Sequence, residues 1–205
     1  MTRPVVVKIG GSLAADRMRL MAVLDHLASA PAPIIIVPGG GPFADEVRQA
    51  QGPLGLSDRA CHAMAILAMR QFGLAIADLD PRVAHCDTLE GLPVTARRGL
   101  PALHVPSSDS LSAPELPSSW ATTSDAIAAW LAQRIAAAGV VFVKSCAVPP
   151  GQTLEAHAAA GRIDTITPGL IARSGMAWRM VGDGAYDSLP AVLDALAAID
   201  GRGAP

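Results

Sequence analysis

Val5-Val6-Val7-Lys8-Ile9-Gly10-Gly11-Ser12 is a short β-branched run that ends in two glycines, the pattern of a strand buried on both faces. The pattern returns at Ile34-Ile35-Ile36-Val37-Pro38-Gly39-Gly40-Gly41. A third run, Val140-Val141-Phe142-Val143-Lys144, ends on the second of the two lysines in the chain; the other basic residues are all arginine. An unpaired charge in such a place costs several kcal/mol by order of magnitude. Two lysines kept at two strand ends therefore imply a role for a compact ammonium with three rotatable donors, which suits a moving phosphate better than a flat guanidinium fork.

Outward from these runs, strands alternate with helical spacing. Strands are expected at 4–9, 34–37, 140–144 and 178–181, with shorter strand-like pieces at 74–78, 92–95 and 102–105. Helices are expected at 16–29, from Pro42 to about 50, at 58–72, 124–138 with Gly139 as its stop, 168–174 and 189–199, with a short one inside 147–160. Residues 52–57 read as a Gly/Pro loop, 106–119 as a Ser/Pro linker, and the last few residues as frayed. Alternation of this kind predicts an α/β fold, a three-layer αβα sandwich with a mainly parallel sheet.

Composition narrows the function. The net charge is −2 with no basic block, which argues against nucleic acid as the partner. Three cysteines, Cys61, Cys86 and Cys146, are odd in number and lack CxxC spacing, so free thiols in a reducing cytoplasm are expected. The first strand begins too early to leave room for a signal peptide, and no uninterrupted apolar run reaches the roughly 18 residues that span a bilayer.

The motifs point to an anion. Gly10 and Gly11 let backbone approach a phosphate closely, and Lys8 adds mobile charge. This is neither a GxxxxGK[ST] loop nor a GxGxxG fingerprint. Gly39-Gly40-Gly41 opens a second concavity at the same sheet edge, where open α/β sheets bind ligands. Thr122-Thr123-Ser124-Asp125 opens the Ala-rich helix, and Asp125 is either a first-turn acid or the carboxylate partner of the lysines. His62 reads as a satisfied core histidine, and His26, His85, His104 and His157 show no metal-ligand spacing. Arg97-Arg98 reads as a solvated pair. No GxSxG elbow is present.

Taken together, Val7-Lys8-Ile9-Gly10-Gly11-Ser12-Leu13, Val37-Pro38-Gly39-Gly40-Gly41-Pro42-Phe43-Ala44 and Thr123-Ser124-Asp125-Ala126-Ile127-Ala128 resemble the amino-acid kinase superfamily. The helix around Cys61-His62-Ala63-Met64, the stretch Leu103-His104-Val105-Pro106-Ser107 and Trp120 resemble one short branch of it, the (aminomethyl)furanmethyl phosphate kinases of methanofuran biosynthesis. The resemblance implies one domain over 1–205, with an acceptor-binding lobe at 1–115 and an ATP-binding lobe at 116–205.

It also implies roles. Lys8, Asp125 and Lys144 would be catalytic. Gly10, Gly11, Ser12 and Ser145 would hold ATP, which brings Mg²⁺, and no residue would bind a metal directly. Gly39, Gly40, Gly41 and Thr123 would face a small anionic acceptor. A homo-oligomer with no nucleic-acid or membrane partner is expected. Two departures stand out. Ser145-Cys146-Ala147-Val148 replaces the acidic Asp-x-Asp-Gly stretch of many members. No lysine follows Lys144, which leaves Arg173 and Arg179 as the cations of that neighbourhood, so Lys144 is expected to serve as the second charge. Asp164 and Asp183 read as exposed loop acids. The alternatives are a kinase of a carboxylate or carbamate acceptor, and a non-catalytic nucleotide or oxyanion binder.

Overall fold

A computed structural model describes residues 2–106 and 113–199. Six parallel strands form one sheet: β1 (Val5–Ile9), β2 (Ile34–Pro38), β3 (Ala84–Cys86), β4 (Ala102–His104), β5 (Gly139–Val143) and β6 (Ala177–Val181), in the order β3-β4-β2-β1-β5-β6. From β1 the sheet runs outward through β2, β4 and β3 on one side and through β5 and β6 on the other, so β1, β2 and β5 meet at the switch point of the sheet. Their carboxyl ends open the crevice where such sheets bind ligands. All five residues of each of these three strands are buried.

Helices cover both faces. One layer packs α1 (Arg17–Ala28), the carboxyl half of α3 (Asp58–Leu79) and α8 (Leu189–Ala197) on Val5, Val7 and Ile9. The other packs α4 (Gly91–Ala96), α5 (Ser124–Arg134) and α7 (Thr167–Ser174) on Val6, Ile35, Val140 and Phe142. Side chains alternate across a strand, so Lys8 shares a face with Val6, and Lys144 shares it with Val140 and Phe142. Both lysines therefore project from the layer that α5 covers. That helix is buried on every side from Ser124 to Ala132; its alanines bring the backbone close to the sheet. The remaining helices are α2 (Gly41–Leu54) and α6 (Leu154–Ala159).

Several expected elements change. Residues 74–78 belong to α3 rather than to a strand, 92–95 form α4, and the third sheet-edge strand is β3 at Ala84–Cys86. Pro53 lies in the last turn of α2, which runs on to Leu54. The Ala-rich helix stops at Arg134, and Ala136 turns the chain with φ of 50°. The glycine pair after β1 leads into a 3₁₀ segment (Gly11–Ala15), and Asp16 caps α1 by accepting from the Arg19 amide. The first long helix dipole therefore starts well past the glycines. The 22-residue α3 is the one helix among the described residues long and apolar enough to cross a bilayer, and 44% of its apolar 18-residue window is buried inside the fold. Cys61, Cys86 and Cys146 are free thiols. The Ser/Pro stretch at 107–112 and residues 200–205 lie outside the described residues.

Candidate active site

Lys8, Asp125 and Lys144 converge at the carboxyl ends of β1 and β5. Lys144 Nζ donates to both carboxylate oxygens of Asp125 at 2.8 Å, and Lys8 Nζ lies 3.1 Å from Oδ1. All three are buried, at 5%, 4% and 7% exposure for Lys8, Asp125 and Lys144. One carboxylate thus holds two ammoniums, and the group carries one net positive charge with little exposed surface. Burial alone would raise the Asp125 carboxyl, but the two lysines outweigh it and hold the group below its usual value. Lys144 is pushed down to about 8, first by burial and then by Lys8, with Asp125 opposing both. Tyr186 fixes this corner by donating from its hydroxyl to the Lys144 carbonyl at 2.8 Å.

Asp125 is placed by a second acid. Asp164 Oδ2 accepts from the Thr123 amide (2.9 Å), the Thr123 hydroxyl (2.9 Å) and the Ala126 amide (3.0 Å). Its Oδ1 accepts from the Thr167 amide (2.9 Å) and hydroxyl (2.5 Å). Asp164 therefore staples the first turns of α5 and α7 together. It is buried, not the exposed loop acid expected, because it satisfies two helix termini at once. Asp183 pairs with Arg19 at 3.1 Å.

The glycine loops interlock. A Cβ on Gly11 would meet the Gly41 backbone, 2.8 Å from its Cα, and one on Gly39 would lie 2.7 Å from the Gly11 Cα. Gly41 adopts φ of 55°, which side-chain-bearing residues rarely take.

Two hollows flank this core. The larger, about 410 Å³, is lined by Lys8, Gly10, Gly11, Ser12, Lys144 and Ser145 on one side and by Cys146, Ala147, Ala160, Gly161 and Arg162 on the other. The smaller, about 50 Å³, is lined by Gly40, Arg48, His62, Ile66, Met69, Trp120, Thr123 and Ser124 among others. Every expected cofactor-side residue thus lies on the large cleft. Gly40 and Thr123 border the small one, whereas Gly39 and Gly41 line neither hollow and pack against the Gly11 backbone. The Thr123 hydroxyl already donates to Asp164 and accepts from the Asp125 amide.

Sequence reasoning missed three residues. Arg162 is the cleft cation downstream of Lys144, whereas Arg173 and Arg179 line neither hollow. Trp120 bridges to α2 by donating to Gln51 Oε1 at 2.6 Å and by stacking under Arg48 at 4.7 Å. His62 is buried as expected but not satisfied: its Nε2 has no hydrogen-bond partner. Arg97 and Arg98 end α4 in exposed positions and line neither hollow. Among the described residues no group of three or more His, Cys, Asp or Glu could hold a metal.

Residues 3–147 match the sequence profile of the amino acid kinase family, which is most of the chain. The chain belongs to the amino acid kinase family. Its fold resembles solved family structures: a uridylate kinase from Archaeoglobus fulgidus (TM-score 0.64, 20% identity, 97% of this chain and 96% of that one) and an isopentenyl phosphate kinase (TM-score 0.60, 14% identity, 94% and 96%). At 35% identity over 127 residues it is similar to the [5-(aminomethyl)furan-3-yl]methyl phosphate kinase of Methanocaldococcus jannaschii. That match takes in 62% of this amino acid kinase chain and 58% of the relative's length.

Proposed function

We propose that this chain is an ATP-dependent kinase that converts a small phosphate monoester, (aminomethyl)furanmethyl phosphate or a close analogue, into a diphosphate. The observation that carries the reading is the pair of buried lysines on Asp125, set between two hollows of unequal size. The similarity to a kinase named for that furan phosphate selects the acceptor.

The nucleotide phosphates take the large cleft, over the backbone of Gly10 and Gly11, with Ser12 and Ser145 beside them. The acceptor phosphate rests against Gly39, Gly40, Gly41 and Thr123. An acceptor phosphate oxygen attacks the terminal phosphorus of ATP, the bond to the bridging oxygen breaks, and ADP leaves. Such transfer is mainly positioning and charge stabilisation. Lys8 neutralises the transferring group, and Lys144 is the second cation. Asp125 orients both and is no general base, because both its oxygens already accept from ammoniums. The residues do not form a protein site for Mg²⁺: Asp125 is the carboxylate at hand and the lysines occupy it, so the ion would travel on the nucleotide's own phosphates. In this reading residues 1–115 carry the acceptor side and 116–205 the nucleotide side, with Lys8 to Ser12 reaching between them. A homo-oligomer is part of the proposal; exposed Leu67 and Leu74 on α3 offer an apolar surface for it.

The test is conversion of ATP to ADP with Mg²⁺ and synthetic (aminomethyl)furanmethyl phosphate, beside acetylglutamate, carbamate and UMP. Diphosphate formed from the furan alone is the expected result. Turnover with another acceptor would keep the kinase and discard the furan. Nucleotide binding without any turnover would favour a binding protein, a reading that the carboxylate-free Ser145-Cys146-Ala147 segment also fits.

A further inference from the structure

The large cleft draws its cations from separate parts of the chain. Lys8 and Lys144 come from strand ends and already share Asp125. Arg162 comes from the turn between α6 and α7. No carboxylate lines the cleft, so three positive side chains border about 410 Å³ of space with no acid among its walls. Such a space concentrates anions.

The turn holds Arg162 in place. Gly161 takes φ of 67°, and the Arg162 amide donates to the His157 carbonyl at 2.9 Å, which wraps the end of α6. Two residues on, Asp164 ties the first turns of α5 and α7 together, and α5 carries Asp125. The backbone at Arg162 is thus anchored to the helix that organises both lysines. Its side chain is partly buried, although Ala160 and Gly161 beside it are exposed. Arg19, Arg48 and Arg82 each pair with an aspartate. Among the described residues Arg162 has no acid partner; its Nη1 donates to the neutral Gln152 side chain at 3.2 Å. Buried His157 reports where this charge is felt: after burial itself, Arg162 and then Lys144 hold its ring below the usual value.

We infer that Arg162 grips the phosphates that stay on the leaving ADP. This deepens and rests on the kinase reading, in which the nucleotide phosphates fill the large cleft. Lys8 and Lys144 are deep and suit the transferring group, whereas Arg162 is partly exposed and free of any acid. A guanidinium fork matches two phosphate oxygens at once, which an ammonium does not.

The experiment measures KM for ATP, KM for (aminomethyl)furanmethyl phosphate, kcat and inhibition by ADP on wild type, Arg162→Ala, Arg162→Lys and Arg179→Ala. Loss of a charge-assisted contact predicts a KM for ATP about 10- to 100-fold higher in Arg162→Ala. The inhibition constant of ADP should rise by the same factor, while kcat and the acceptor's KM stay within about three-fold, because the contact is made alike before and during transfer. Arg162→Lys keeps the charge without the fork and should recover part of the loss. Arg179 lines neither hollow, so Arg179→Ala, which removes the same charge, should behave as wild type. Arg162→Gln carries the comparison should thermal melts show Arg162→Ala to be misfolded. A KM for ATP within about two-fold of wild type, equal rises for ATP and acceptor, or an unchanged ADP constant would overturn the assignment.

If wild type turns over no acceptor, the kinase reading fails and Arg162 is read separately, by calorimetric titration with inorganic tripolyphosphate. Binding that weakens about 10-fold or more in Arg162→Ala and holds in Arg179→Ala upholds the contact. No binding to wild type, or equal binding to all variants, overturns it.

Discussion

Raising the pH should stabilise this protein and silence it over the same range, and Lys144 is the cause. Its ammonium sits at about 8 in the fold against an ordinary 10.5. Between those values the unfolded chain holds the proton and the native chain has released it. Stability rises with pH wherever the unfolded state binds more protons. At about 1.4 kcal/mol per pH unit, the gain from Lys144 reaches roughly 3 kcal/mol across the window. The proposed chemistry needs the charged form, so kcat/KM for ATP should fall as pH passes about 8. Bound phosphate supplies negative charge beside Lys144, so kcat should fall at a higher pH than kcat/KM. Lys144→Met removes the titration and leaves Lys8 and Asp125 as a charge-balanced pair. The variant should lose turnover, lose this pH dependence of stability, and match or exceed wild type in stability near neutrality. Urea unfolding and initial rates from about pH 7 to about pH 10 on both proteins provide the check. Parallel stability curves, or a wild-type kcat/KM undiminished well above pH 9, would refute the reasoning.

Lys8→Ala leaves the Asp125–Lys144 pair intact, so the fold should hold while kcat drops about 10²- to 10³-fold, the scale for losing one preorganised transition-state contact; unchanged turnover would remove Lys8 from the mechanism. Asp164→Ala strips five hydrogen bonds from the starts of α5 and α7. It should cost about 3–5 kcal/mol by denaturant unfolding and lower turnover, although Asp164 touches neither lysine. Gly11→Ala places a methyl group on the Gly41 backbone; a loss of about 1–3 kcal/mol and a collapse in turnover are expected, read by thermal melts and initial rates.

What was legible in the sequence was what short-range chemistry dictates. β1, β2 and β5 declared themselves as β-branched runs closed by Gly or Lys, and their alternation with helices was enough for the parallel sheet. The marginal elements misled because their local signal is weak. Leu74 to Asp78 resembles a strand piece, yet helical hydrogen bonding continues through it to Leu79. Leu92-Pro93-Val94-Thr95 looks extended, yet proline is tolerated in the first turn of α4. β3 is three residues at the sheet edge with one buried side chain, too little for a period to show. The site divides in the same way. The lysines and glycines were visible because their residue types are unusual where they stand. Asp164, Arg162 and Trp120 were not readable as site residues, since each acquires its place only from a chain segment distant in sequence: Thr123 for Asp164, the β1 loop for Arg162, Gln51 and Arg48 of α2 for Trp120.

That dependence on distant segments also explains why two glycine-rich loops are needed rather than one. Gly11 lines the large cleft and Gly40 the small one, so in the proposed reading each loop floors a different substrate. The loops are not independent: a side chain on Gly39 would strike the Gly11 backbone, and one on Gly11 would strike the Gly41 backbone. The donor floor and the acceptor floor are therefore one piece of packed backbone, pinned to parallel strands in fixed register. Phosphoryl transfer between two anions depends on holding them in line against their mutual repulsion. A joint with no side chain in it fixes that separation at the shortest distance backbone allows, and the Lys8–Asp125–Lys144 group stands beside the joint with its unbalanced positive charge. The glycines set the distance and the lysines make it bearable for two phosphates. A substitution that opens the joint should therefore lower kcat even where each substrate still binds.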